Sequence, residues 1–185
     1  RLNTSVESVR FLLEQGLAFR GHDETEDSRN PGNFLKLLRA FARSSPDIAS
    51  VVLENAPQNN QLIAPSIQKE IVSAAAMETI SAIISDLGDG LFSVLIDEAR
   101  DISVKEQMAV VIRYVDFKGD IIEWFLGVEH VPDTSALILK KQLDTLFNKY
   151  GLSISRLRGQ GYDGASNMWG EYDGLKTFIL RENSN

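Results

Sequence analysis

Near residue 88 the hydrophobic pattern changes its period, and that change limits the folds open to this chain. Before it, apolar residues recur every three or four positions, as on a helix face. After it they come in short runs rich in β-branched and aromatic residues, as in strands. The pattern predicts a helical region over 1–88 and an α/β region over 89–185. The 185 residues suit one domain, or one domain with an appendage.

In the first region Val6, Val9, Leu13 and Leu17 mark an opening helix. The stretch "GHDETEDSRNPGN" breaks the pattern with acids, Gly and Pro, which makes it a loop. Phe34, Leu37, Leu38 and Phe41 mark a second helix, and a short third one follows Pro46. A long helix follows Pro65, with Ile67, Ile71, Ala74, Ala75, Ile80, Ile83, Ile84 and Leu87 read as one stripe and Gly88 as its stop.

In the second region "LFSVLID" (91–97) is a short apolar run of the kind a buried strand shows. The runs "QMAVVIRYVD" and "IIEWFLGVEH" are joined by "FKGD" and read as a hairpin. "DTSALILKKQLDTLFNKYG" is a helix, with Asp133 or Thr134 as N-cap and Gly151 past its end. "LSISRLRGQGYD" holds a fourth strand, placed around 152–157, and a last helix runs from Ala165 to about Arg181.

The order strand, strand, strand, helix, strand, helix predicts an antiparallel meander followed by a right-handed crossover. The fourth strand then lies parallel to the first and beside it. Asp97 closes the first strand and Asp163 the fourth, so two carboxylates 66 positions apart meet at one end of the sheet. Neighbouring carboxylates repel unless a cation or proton separates them. Hard oxygen donors in that arrangement suit Mg²⁺ or Mn²⁺, the ions of phosphodiester chemistry.

Composition narrows the alternatives. With 19 basic and 26 acidic residues the net charge is −7, which argues against a broad phosphate-binding surface. No cysteine is present, so disulfides and thiolate zinc sites are excluded. No apolar run reaches the roughly 20 residues of a membrane span. The chain begins at Arg1 without a signal peptide and reads as a piece of a longer, intracellular protein.

Four segments together resemble a known family: "FRGHDE" (19–24), "VLIDEARDIS" (94–103), "GQGYDGASNM" (159–168) and "GEYDGLKTFILREN" (170–183). In this order they resemble hAT-superfamily transposases, and most closely the transposase-derived domain of zinc-finger MYM-type and TTF-type zinc-finger proteins. The resemblance implies a ribonuclease H-like mixed sheet, three antiparallel strands plus a parallel fourth, cut off before a fifth. It implies Asp97 and Asp163 as the first two catalytic acids and metal ligands, with weak Mg²⁺ or Mn²⁺ binding. Such transposases use a third acid, a Glu beyond a long insertion, which has no match in these 185 residues. A zinc finger upstream and a dimerisation segment downstream are implied as well. The resulting expectation is a domesticated, catalytically inactive scaffold that binds protein or nucleic acid; the alternative is the core of an active metal-dependent DNA transposase. A nuclear location, DNA contact through the parent protein, and self-association or peptide docking along the fourth strand complete the expectations.

The remaining candidates have structural readings. Asp163 is an N-cap candidate, and Glu98 and Asp101 read as a solvated loop that offers spare ligands. Asp23 to Asp27 read as a solvated turn, and His22 and His130 as structural hydrogen-bonders. Trp124 and Trp169 read as packing residues before stacking platforms, and Asn167 as a residue that turns the chain near Asp163.

Overall fold

The computed structural model describes residues 1–25, 27–100, 105–170 and 173–184. Asp101, one of the candidate ligands, lies outside them. The chain forms two units, 1–78 and 79–185.

The first unit holds α1 (Leu2–Glu14), α2 (Asn33–Ser44), α3 (Pro46–Ala49) and most of α4 (Pro65–Leu87). Its core is small: Val9, Leu12, Phe34, Leu38, Val52 and Leu53, flanked by Phe19, Ile63, Ile71 and Val72. The buried side of α1 is Ser5, Ser8, Val9 and Leu12. Val6 and Leu13, read from the sequence as core positions, are exposed, as is Leu17 beyond the helix. The loop between α1 and α2 closes where Gly21 and Gly32 meet backbone to backbone. A Cβ on Gly32 would stand 2.2 Å from the Gly21 nitrogen, so neither position admits a side chain.

The long stripe expected on α4 is two stripes. From Ala75 to Ile80 is five residues, so the face turns by about 140° between them. The earlier half, with Ile71 and Val72, belongs to the first core, and the later half, with Ile83 and Leu87, to the second. Gly88 ends the helix at φ 53.

The second unit carries β1 (Phe92–Arg100), β2 (Glu106–Val115), β3 (Ile121–His130), α5 (Ala136–Tyr150), β4 (Leu157–Tyr162), α6 (Ser166–Trp169) and α7 (Leu175–Glu182). The sheet order is β3-β2-β1-β4, with β1–β2 and β2–β3 antiparallel and β1–β4 parallel. This is the expected mixed sheet. Asp116 builds the β2–β3 turn: its carboxylate accepts from the Lys118 and Asp120 amides, and Gly119 supplies a φ of 90.

Phe92, Val94 and Ile96 of β1 and Met108, Val110, Ile112 and Tyr114 of β2 are buried. They join Leu139, Leu143, Leu146 and Phe147 of α5, Met168, and Leu175 and Ile179 of α7 in one core. Lys140, buried on α5, donates to both oxygens of Asp144 and to Glu182, which ties α5 to α7. Tyr114 donates to Asp86 of α4 at 2.5 Å; burial first and then this carboxylate push its hydroxyl up to about 12.

Several local expectations need correction. The stretch around 152–157 is not the fourth strand: Ile154–Arg156 is a 3₁₀ turn and the strand is Leu157–Tyr162. The Asn183 side chain donates to the carbonyls of Ile154 and Leu157, and Arg158 also donates to Leu157, so this stretch does not offer open carbonyls. The last helix is divided into α6 and α7, with Gly174 capping the second. Ser135, not Asp133 or Thr134, is the N-cap of α5, and Asp133 accepts from its amide. No helix among the described residues is long and apolar enough to cross a membrane.

Candidate functional site at the end of β1 and β4

The parallel β1–β4 pairing fixes the site. Its last pairs are Leu95 with Gly161 and Ile96 with Tyr162. One step further along the chain from these pairs come Asp97 and Asp163, which puts both residues toward the same end of the sheet. Small residues allow the approach: a Cβ on Gly159 would lie 2.5 Å from the Ser93 hydroxyl. Both acids are exposed. Asp97 does not end its strand as expected. β1 continues to Arg100, with Asp97 paired to Ala109, while β4 stops at Tyr162.

Asp163 turns the chain. Its carboxylate accepts from the Ala165 amide at 3.2 Å, and its carbonyl accepts from the Trp169 indole at 2.5 Å. Trp169 meets Tyr162 edge-on with centroids 6.2 Å apart, and the Lys176 ammonium lies 4.5 Å above the Trp169 ring. Burial raises the Tyr162 hydroxyl well above its ordinary range.

Glu98 is the residue that the sequence reading misplaced. It sits in β1 opposite Met108, half-buried, and not in a solvated loop. Asn167 donates to Glu98 at 2.5 Å and to the Thr134 carbonyl at 2.7 Å, tying β1, the β3–α5 loop and α6 together. Burial raises the Glu98 carboxyl above its ordinary value; Asn167 opposes that, and Asp163, Glu106 and Asp97 add to it. The signal was present: Phe92, Val94 and Ile96 point inward, and strand alternation puts Glu98 on the same face.

Asp97 and Asp163 are suitable donors for a hard cation. Among the described residues, however, no group of three or more His, Cys, Asp or Glu is arranged to hold a metal ion. His130 is a structural hydrogen-bonder, its Nδ1 2.9 Å from the Glu106 carbonyl, and His22 is exposed in the first unit's loop. Trp124 is half-exposed on the edge strand β3.

Known proteins align with most of this chain. The chain is 23% identical over 165 residues to the "52 kDa repressor of the inhibitor of the protein kinase" of Mus musculus and 22% identical to that of Homo sapiens. Each alignment covers 87% of this chain and 22% of the relative, so the chain spans about a fifth of their length. Residues 1–174 match the family DUF4371, described as "ZMYM1/FAM200, RNase-like domain", and the chain belongs to that family.

Proposed function

We propose that this chain is a domesticated, hAT-type transposase-derived domain that acts as a binding scaffold and does not cut nucleic acid. The observation that carries the reading is the state of the carboxylates at the sheet end. Asp97 and Asp163 follow the last β1–β4 pair, and Glu98, the next residue on β1, is half-buried and hydrogen-bonded by Asn167. Two carboxylates hold Mg²⁺ or Mn²⁺ weakly and leave the transition state of phosphoryl transfer under-compensated. Three acids at that end of an acidic chain also repel phosphate, which favours protein over nucleic acid as the direct partner. The relatives are named as a repressor of the inhibitor of the protein kinase, a name that describes regulation and not cleavage of nucleic acid. An intracellular, nuclear setting within a longer protein fits that role. A partner strand, or a second copy of the chain, would add at β4, the edge strand beyond β1.

Two measurements test the reading. Calorimetry with Mn²⁺ should show millimolar binding, about −4 kcal/mol, that Asp97→Asn abolishes. Duplex DNA and an RNA–DNA hybrid should remain intact with either ion. The position of Asp97 and Asp163 toward the same end of the sheet supports a second reading, the core of an active metal-dependent transposase. Divalent-dependent nicking that disappears in Asp163→Asn would establish that reading and overturn the scaffold.

A further inference from the structure

The first unit presents an apolar groove that its own fold leaves open. It has a volume of about 720 Å³ and lies between α1 and the first half of α4. One wall is Leu2, Val6, Val9 and Leu13; the other is Ile67, Ile71 and Ala74, and Leu62 closes one end. Leu62 is held at φ 60, an uncommon conformation for a non-glycine residue.

Helix α1 is built the wrong way round for a helix with one partner. Its core side includes two serines, Ser5 and Ser8, while Leu2, Val6 and Leu13 face outward and are 38–55% exposed. An amphipathic helix places its most apolar stripe against a partner. The spacing of Leu2, Val6, Val9 and Leu13, and of Ile67, Ile71 and Ala74, follows the helical repeat along both walls. Two apolar walls with helical spacing are the form of a helix-binding groove.

Charge selects the occupant. Arg10 and Glu14 on the α1 rim neutralise one another at 2.9 Å. On the α4 side Glu70 and Glu78 line the groove, eight residues or about 12 Å apart along the helix, and neither forms an ion pair among the described residues. A second copy of this acidic chain would bring like charges to the groove. We infer that the groove between α1 and α4 binds an amphipathic helix of a protein partner, with basic residues about two turns apart along the flank that meets Glu70 and Glu78. This site lies within the first unit and does not involve Asp97 or Asp163, so its failure and that of the scaffold reading are told apart.

The test uses the whole chain and two synthetic helical peptides of about 16 residues, a little over four turns. Both carry the same Leu and Ala face. One has Lys at two flank positions eight residues apart, and the other has Glu there. The Lys peptide should bind about tenfold more tightly, and amide NMR shifts should map to Leu2–Glu14 and to the first half of α4. Ala74→Arg, at an exposed position, should abolish binding, and Val6→Asp should do the same. Glu70→Lys combined with Glu78→Lys should reverse the preference between the peptides. Equal binding of the two peptides, or shifts that map elsewhere, would overturn the proposal. So would sedimentation showing a dimer that Ala74→Arg dissociates, since a second copy would then be the occupant.

Discussion

The two units reach stability by different routes. The sheet unit buries one broad core from all four strands, α5, α6, α7 and the end of α4, and pins it with Lys140, Asn183 and the Tyr114–Asp86 bond. The helical unit buries six residues in its core and leaves an apolar stripe of α1 in solvent. A sheet ladder satisfies its backbone across distant segments, so its core closes as one piece. Short helices satisfy their backbone locally, and their packing then depends on how many neighbours each one finds. The difference is that the sheet unit closes its apolar surface over many segments, while the helical unit leaves part of its own exposed.

The sharpest way to break this comparison is to damage each core separately. Leu143→Ala, at a fully buried α5 position, should cost about 2–5 kcal/mol in urea unfolding. Both tryptophans, Trp124 and Trp169, lie in the sheet unit, so tryptophan fluorescence follows that unit alone. Leu38→Ala should cost a comparable amount in the helical unit, at the low end of about 2–5 kcal/mol, because a small core relaxes more readily. Its effect should appear in far-ultraviolet circular dichroism while the fluorescence midpoint stays in place. A fluorescence midpoint that moves equally would show that the units unfold as one.

Asn183→Ala sharpens the account of the sheet edge. It removes the donor to the Ile154 and Leu157 carbonyls and should cost about 1–3 kcal/mol. Faster amide exchange should be confined to the start of β4 and the turn before it. Uniform exchange across the sheet would mean that Asn183 supports the fold in some other way.

The smallest effect concerns Glu98. Its carboxyl is raised in the folded state, so the folded chain holds that proton more tightly than the unfolded chain does. The stability this contributes is present at low pH and is lost as pH rises from about 4.5 through the raised folded value. Glu98→Gln keeps an acceptor for Asn167 and carries no charge. Its stability should be flatter across that window, and at neutral pH it should be no less than that of the parent. A slope unchanged by the substitution would place the pH dependence on other carboxylates.

The order of elements and their periods were legible in the sequence. Alternation and helical repeats are local properties, and the β2–β3 turn, the Gly88 and Gly151 helix ends and the parallel fourth strand follow from them and from crossover handedness. That Asp97 and Asp163 come at the same end of the sheet followed too, because parallel neighbours run in the same direction. What only the tertiary structure decided is which apolar stripe is used. Val6 and Leu13 look like core residues by spacing, yet the core takes Ser5 and Ser8, since the angle at which α1 meets α2 selects the buried face. The same holds for α4, whose apolar residues look like one stripe in the sequence but are divided by packing, Ile71 and Val72 going to one core and Ile83 and Leu87 to the other. Glu98 belongs with these. Its inward position was set by strand parity, but the partner that makes it structural, Asn167, lies 69 residues away and is brought to it only by the fold.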